Sequence, residues 1–410
     1  MKDLSGRRLT DVDLINLYVD TPEAPARVGA LALLDGRGLA DADGRLRLAA
    51  VRTAIGDRLG SVPRLRQVIR RAGPFGGCPV WVDDPAFRLD RHVRQVALSP
   101  GEEPTDLALR LVNGPLDRAH PLWRMWFVTG LPDGGVALVF GMHHVVADGV
   151  ATVHMLGSLM DAAPPVDDRA TARPPRARLP RRMRRAPRTS LNRPVGAHRR
   201  LTAVTMELDA ARAIARAHQA KVNDVVLAIA AGGVRALLHS RAEPVDGVRV
   251  HVSVAVSLRP PGSGSVSGNH TGGIVVRVPL DADPRERLRA IALQSAEAKA
   301  VQLPTAGNTL LVWLARLGLL RSFSRHQRTV NLVESNVAGP RAPISLLGAP
   351  VRAVVPIGTL VGNLSLGFLA LSYAGRLTIA VQADADQYPD LDVLIAAMER
   401  DRATLDTMLR

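Results

Sequence analysis

A chain of 410 residues with 47% hydrophobic residues is longer than one ordinary domain and rich enough in apolar side chains to bury two soluble cores. Its single cysteine, Cys78, excludes a disulfide framework and a cysteine-based metal site, and fits a reducing cytoplasm. The formal net charge of +15 would suit a nucleic-acid ligand, but eleven arginines and no acid lie between Arg173 and Arg200, and aromatic residues, at 3%, offer few stacking platforms.

The opening MKDLSGRRLTDVDL lacks the apolar core of a secretory signal, and a transmembrane span of roughly 18 uninterrupted apolar residues is not expected. In chain order, Ala49 to Leu59 has helical spacing, Pro79 to Val82 and His92 to Leu98 read as short strands, and Thr105 to Asn113 as a helix. Trp123 to Thr129 and Gly135 to Met142 read as two strands joined by the turn Leu131-Pro132-Asp133-Gly134. The second is apolar on both faces, as a central strand should be. Residues 164 to 200 are crowded with Pro and Arg, lack apolar periodicity, and are expected to link two domains. Beyond them, helices are expected over Asp209 to Gln219, Val222 to Ser240, Arg285 to Lys299 and Leu391 to Met408, and Leu310 to Leu320 reads as a buried or half-buried helix broken by Arg316. Strands are expected over Val248 to Ser257, Gly273 to Val278, Leu364 to Tyr373 and Leu377 to Ala383, with another near Val351 to Val355. The expected fold class is α/β: an N-terminal domain over 1–165, an Arg/Pro-rich linker over 166–200 and a C-terminal domain over 201–410, with mixed sheets in both.

Chemistry concentrates in Gly141-Met142-His143-His144-Val145-Val146-Ala147-Asp148-Gly149, directly after the apolar strand. Adjacent histidines at a strand end point to opposite faces, so only one can serve a given site. An imidazole that titrates near neutrality on a rigid strand end suits a general base for a hydroxyl proton, and His144 is the candidate. Asp148 and Gly149 turn the chain into a helix; Asp148, a buried carboxylate, needs a partner, expected to be an arginine, and Gly149 permits a close approach. Against this stand a purely structural histidine pair and a metal site drawn from His143, His144, Asp148 and His154, which adjacent strand histidines are poorly placed to form. The basic run Arg173 to Arg200 reads either as a solvated charge run or as an attraction to anionic lipid headgroups.

The HHxxxDG pattern resembles that of the chloramphenicol acetyltransferase-like acyltransferases, and the rest of the chain resembles their wax ester synthase/diacylglycerol acyltransferase branch. Pro115-Leu116-Asp117 and Pro121-Leu122-Trp123 are similar to the family's PLD and PLW signatures, and Asn223-Asp224 to its ND motif at a helix start, although both residues also cap helices ordinarily. Ser257-Leu258-Arg259-Pro260 with Gly268-Asn269, and Ser335-Asn336-Val337-Ala338-Gly339-Pro340, resemble further family segments, as do the opening around Leu9 to Asp13 and Val62-Pro63-Arg64-Leu65-Arg66. Three features depart: Ala26 and Arg27 stand where a Met-His pair is usual, Ala338 replaces a proline, and the stretch between Gln302 and Arg328 is short.

The resemblance implies two chloramphenicol acetyltransferase-like domains meeting at an active-site tunnel with His144 at its centre. It implies transfer of a fatty acyl group from acyl-CoA, as co-substrate and with no other cofactor, to a lipid hydroxyl: diacylglycerol or a long-chain alcohol. The catalytic set would be His144, His143, Asp148 and Gly149, with Pro121, Leu122, Trp123, Asn223, Asp224, Arg259 and Asn269 as substrate-binding residues and no metal. Arg259 would pair with Asp148, and Asn269 and the backbone near Gly149 would be oxyanion donors. No acyl-enzyme is expected, since no GxSxG elbow is present. The protein would be cytoplasmic, with peripheral contact at an anionic membrane or lipid droplet and no nucleic-acid partner. Two other readings remain: the same base acting on a glycolipid, polyketide or carrier-bound acceptor, and a non-catalytic binder of anionic surfaces, whose affinity would fall steeply with salt.

Overall fold

The computed structural model describes residues 7–41, 43–71, 78–161, 185–257, 268–300 and 306–407. In the first half these form α1 (Asp11–Val19), β1 (Arg27–Leu34), α2 (Leu48–Arg58), β2 (Gln67–Arg71), β3 (Pro79–Asp83), β4 (Val93–Ala97), α3 (Pro104–Asn113), β5 (Trp123–Thr129), β6 (Val136–His143) and α4 (Gly149–Ser158). The second half supplies β7 (Arg199–Glu207), α5 (Leu208–Ala217), α6 (Val222–Ser240), β8 (Arg249–Ser257), β9 (Thr271–Pro279), α7 (Pro284–Ala300), α8 (Ala306–Arg316) and α9 (Leu320–His326). It closes with β10 (Leu332–Ala338), β11 (Ser345–Leu346), β12 (Ala349–Ile357), β13 (Leu366–Tyr373), β14 (Arg376–Asp384) and α10 (Leu391–Thr407).

Two six-stranded sheets organise the molecule, in the orders β11-β12-β1-β6-β5-β4 and β7-β14-β13-β10-β8-β9. Both are mixed, as the hairpins suggest. β4 runs parallel to β5 in the first, and β10 runs parallel to β8 and β13 in the second. β6 lies between β1 and β5 and is buried along its whole length, which explains a sequence apolar on both faces. Its hairpin with β5 turns through Leu131–Gly134, closed by the Gly134 N–H on the Leu131 carbonyl at 3.0 Å, and Gly134 takes a positive φ of 68° that favours glycine.

The halves are interwoven in a way that periodicity does not reveal. β11 and β12 come late in the chain, yet β12 pairs antiparallel with β1, Gly29 opposite Ile357, and so completes the sheet that carries the histidines. The linker's described end is also ordered. Leu191 and Val195 are buried, and Arg199 and Arg200 already belong to β7. Arg199 stands 3.8 Å from Asp384 and Arg200 2.7 Å from Asp392, so these two cations of the basic run are engaged within the protein.

α6 is the one helix among the described residues long and apolar enough to cross a membrane, but it is largely buried, as the core helix of the second half would be. It lies against α10 so closely that a Cβ on Gly233 would come within 2.8 Å of the Leu394 carbonyl oxygen.

Candidate active site

Three segments distant in sequence converge at the end of β6. The His144 N–H donates to the Ala26 carbonyl at 2.9 Å, which extends the β1–β6 ladder to the second histidine. His144 then lines a cavity of about 430 Å³ between the two sheets, within the range typical of small-molecule sites. Most of the other lining is apolar, including Val28 and Ala30 of β1, Val337 of β10, and Leu369 and Leu371 of β13, with Ser253, Glu334 and Gln382 among the polar exceptions. The Asn16 side-chain nitrogen, from α1, lies 3.4 Å from His144 Nδ1, so Nε2 is the ring nitrogen left for a substrate.

His143 takes the opposite course, as strand alternation requires. It is 1% exposed, accepts the Val145 N–H on Nδ1 at 3.0 Å, and therefore carries its proton on Nε2, 3.3 Å from Asp20 Oδ2. Asp20 also pairs with Arg27 at 2.9 Å and Arg118 at 3.1 Å. Arg27, one of the departures from the family pattern, thus serves a buried ion cluster behind the histidines. Burial pushes the Asp20 carboxyl upward, but His143, Arg27 and the Ala26 N–H outweigh it and hold it well below the ordinary carboxylate range.

Asp148 is 1% exposed and caps α4. Oδ1 accepts the Ala151 N–H at 3.0 Å, while Oδ2 accepts the His270 N–H at 2.8 Å and the Thr271 hydroxyl at 2.9 Å. The arginine proposed opposite it, Arg259, lies outside the described residues. Gly149 lines the cavity, and a Cβ there would stand 3.0 Å from Val337 Cγ2, so the absence of a side chain lets α4 meet β10 across the sheets. Together with a bridge from Ala147 to Gly268, these contacts make residues 268–271 a clasp on the histidine turn.

Asn269 belongs to that clasp and not to the cavity wall. Its side-chain nitrogen donates to Asp13 Oδ1 at 2.7 Å and to the carbonyls of His144 at 2.9 Å and Val145 at 3.3 Å. Since all three neighbours are acceptors, the amide hydrogens must face them, and Asn269 is corrected from oxyanion donor and substrate contact to a holder of the His144 backbone. Asn269→Ala is expected to lower kcat about ten-fold or more, with KM for the acyl donor little changed, because small displacements of a reacting group are costly. Steady-state kinetics beside a thermal melt would separate this from unfolding.

Pro121, Leu122 and Trp123, expected to contact substrate, are buried at the start of β5, beside β6, and do not line this cavity. The Leu122 carbonyl accepts the His143 N–H at 2.9 Å. Trp123 stacks on His92 with centroids 4.6 Å apart and donates its indole N–H to the Leu65 carbonyl at 2.7 Å. The PLW signature and Val62–Arg66 thus meet as core support for the histidine strand. Asn223 and Asp224 are also off the wall. Asp224 Oδ2 accepts the Lys221 N–H at 2.8 Å at the start of α6, and Asn223 donates to Glu334 at 3.3 Å.

Sequence reasoning missed Asn16, Asp13 and Asp20 as neighbours of the histidines, and Gln382, a buried side chain on the cavity whose Oε1 accepts the Gly358 N–H at 3.0 Å. α1 carried the signal, since Thr10 and Asp13 form a capping box that marks a helix start. Among the described residues no cluster of three His, Cys, Asp or Glu side chains is placed to hold a metal ion.

Two buried histidines set an acid limit on the fold. Burial pushes His143 and His92 down from 6.5 to about 4. Between those values the unfolded chain takes up protons that the fold refuses, so stability falls as pH falls, by up to about 1.4 kcal/mol per pH step for each histidine. Asp20, with its depressed acid range, loses its contribution only below that window. Urea midpoints at pH 7 and pH 5 should show the loss, and His143→Gln should reduce it.

Comparison with known proteins decides the family. The model described as the wax ester synthase/diacylglycerol acyltransferase catalytic domain matches residues 9–185 and 166–226, and the WS/DGAT C-terminal domain matches 267–405. The chain belongs to the wax ester synthase/diacylglycerol acyltransferase family. It is an acyltransferase. A Mycobacterium tuberculosis H37Rv relative named "Probable diacyglycerol O-acyltransferase tgs1" is 30% identical, covering 91% of this chain and 89% of its own. In fold, the acyltransferase resembles the wax ester synthase/diacylglycerol acyltransferase from Marinobacter aquaeolei VT8, with a TM-score of 0.72, 24% identity and coverage of 98% and 99%. It also resembles the starter condensation domain of rhizomide synthetase in complex with C8-CoA, with a TM-score of 0.63, 12% identity and coverage of 99% and 94%. The two mixed sheets are therefore the two-domain chloramphenicol acetyltransferase-like fold.

Proposed function

We propose that this acyltransferase moves a fatty acyl group from acyl-CoA to a lipid hydroxyl, with His144 as general base. Diacylglycerol is the first acceptor and a long-chain alcohol the second. The observation that carries the reading is the position of His144: a strand-end imidazole on an apolar cavity between the sheets, its carbonyl held by Asn269 and its Nδ1 side occupied by Asn16.

In this mechanism the hydroxyl oxygen attacks the thioester carbon while the imidazole takes the hydroxyl proton. The tetrahedral oxyanion collapses, the carbon–sulfur bond breaks, and the imidazolium returns the proton to the departing thiolate. The products are the ester and free coenzyme A. The first main-chain N–H groups of α4, at Gly149 and Val150, have no partner within the helix and are the oxyanion donors of this proposal. No acyl-enzyme is required; Cys78, the single thiol, is exposed and does not line the cavity. Tgs1 by its name and the C8-CoA held by the rhizomide condensation domain support the choice of acceptor and donor. The enzyme would act in the cytoplasm, at the surface where its lipid acceptor resides.

The test is release of free thiol from palmitoyl-CoA with diacylglycerol or hexadecanol supplied in turn. Release that depends on either alcohol, with the matching ester formed and no acyl group retained on denatured protein, is the expected result. Release stimulated by neither alcohol would overturn the lipid-acceptor reading and favour a carrier-bound or glycolipid acceptor.

A further inference from the structure

Among the described residues six large apolar side chains are exposed; Leu293 of α7 and Val393 of α10 stand singly, and the other four cluster in one place. Trp313, Leu317, Leu319 and Phe323 are 59%, 63%, 51% and 45% exposed, and all lie on α8, α9 or the turn between them. Spacing of four residues puts Trp313 and Leu317 on neighbouring positions of one helical face, and Leu319 and Phe323 likewise. The opposite side holds the pair to the protein, since Val312, Ala315 and Leu320 are buried. An ordinary surface helix would present polar residues outward, so this pair is inverted.

Charge states what would cover the patch. Arg316, Arg321 and Arg325 are exposed around it and the segment 306–333 carries no carboxylate of its own; Glu23 is the acid near Arg321 and Arg325, and Arg321 also donates to the Asp20 carbonyl at 3.2 Å, which leaves a net positive rim. An apolar centre with an interfacial tryptophan and an arginine rim is complementary to the headgroup and upper acyl region of an anionic bilayer. The location agrees. α8 and α9 pack on α1, which brings Asn16 to His144. The Ser324 carbonyl of α9 accepts the Asn363 N–H at 3.1 Å, close in sequence to the cavity-lining Thr359 and Leu360.

We infer that the α8–α9 pair is a docking surface for an anionic phospholipid bilayer, seating Trp313, Leu317, Leu319 and Phe323 at the membrane interface beside the acyl-transfer cavity. The inference extends the lipid-acceptor reading, but its test uses no thioester and no acceptor, so either can fail without the other.

Trp313 is a built-in reporter, because the other three tryptophans, Trp81, Trp123 and Trp126, are buried. The full chain would be mixed with phosphatidylcholine vesicles with and without phosphatidylglycerol, following sedimentation and tryptophan emission. Expected are sedimentation with the phosphatidylglycerol vesicles, weakened by salt, and a blue shift that Trp313→Phe abolishes while binding persists. The double variant Trp313→Ser/Leu317→Ser should bind about ten-fold or more weakly, and Arg316→Gln/Arg321→Gln/Arg325→Gln should lose the preference for phosphatidylglycerol. Binding undiminished in the double variant, an unshifted wild-type emission on bound vesicles, or no wild-type sedimentation would each overturn the inference. So would a wild-type dimer by light scattering that the double variant converts to monomer, which would assign the patch to a second copy.

Discussion

His144→Ala is expected to lower acceptor-dependent thiol release by about 10² to 10⁴-fold while leaving the melting temperature nearly unchanged. The loss should fall on kcat, because the imidazole acts on a proton in flight and contributes little to holding either substrate. The surrounding geometry supports a clean readout: the His144 side chain faces the cavity, while its N–H and carbonyl make the contacts with Ala26 and Asn269 that an alanine would keep. His144→Gln should be equally inactive, since an amide cannot accept the proton. Rates measured with palmitoyl-CoA and diacylglycerol, beside thermal melts of each variant, check both halves of the prediction. Full activity in either variant would remove His144 from the base role.

Asp148→Ala should damage both fold and activity. The alanine would strip α4 of its cap and leave the His270 N–H and the Thr271 hydroxyl without the carboxylate that receives them. A lost cap and newly unpaired, half-buried donors together cost about 2 kcal/mol, enough to lower the melting temperature by several degrees. Activity should fall by about 10²-fold as the 268–271 clasp loosens and the histidine turn shifts. Asp148→Asn separates the two effects. Its amide oxygen can still cap α4, so stability should recover in part, but its NH₂ then faces the His270 and Thr271 donors and activity should stay low. Calorimetry and single-turnover kinetics on both variants would show the split. An Asp148→Asn enzyme with wild-type activity would mean that the clasp does not position the base.

The role of each family signature was harder to read than its presence. PLW and ND are apolar or capping residues whose sequences are compatible with a pocket wall as well as with a core, and the choice depends on what lies across from them. Trp123 faces His92 and the Leu65 carbonyl next to the histidine strand, and Asp224 faces the Lys221 N–H as a local cap of α6. Asn269 was placed near the right chemistry but with the wrong task. Three acceptors around one amide nitrogen decided it, and they come from α1 and the histidine turn, more than a hundred residues away.

Much of the local structure was determined by sequence alone. Apolar runs and periodic apolar patterns mark β5, β6, α6, β14 and α10 to within a residue or two, because each segment's burial is written in its own side chains. The strand-end histidines likewise had to point apart, whatever surrounded them. Only the tertiary structure decided which strands share a sheet, that β12 returns to pair with β1, and that residues 268–271 close over the histidine turn. The strand pairings rest on main-chain hydrogen bonds between segments far apart in the chain, while the 268–271 closure joins them through the Asp148 and Asn269 side chains, whose partners are equally distant in sequence. Main-chain groups are the same in nearly every residue, so their partners leave no mark on the sequence until the fold brings them together.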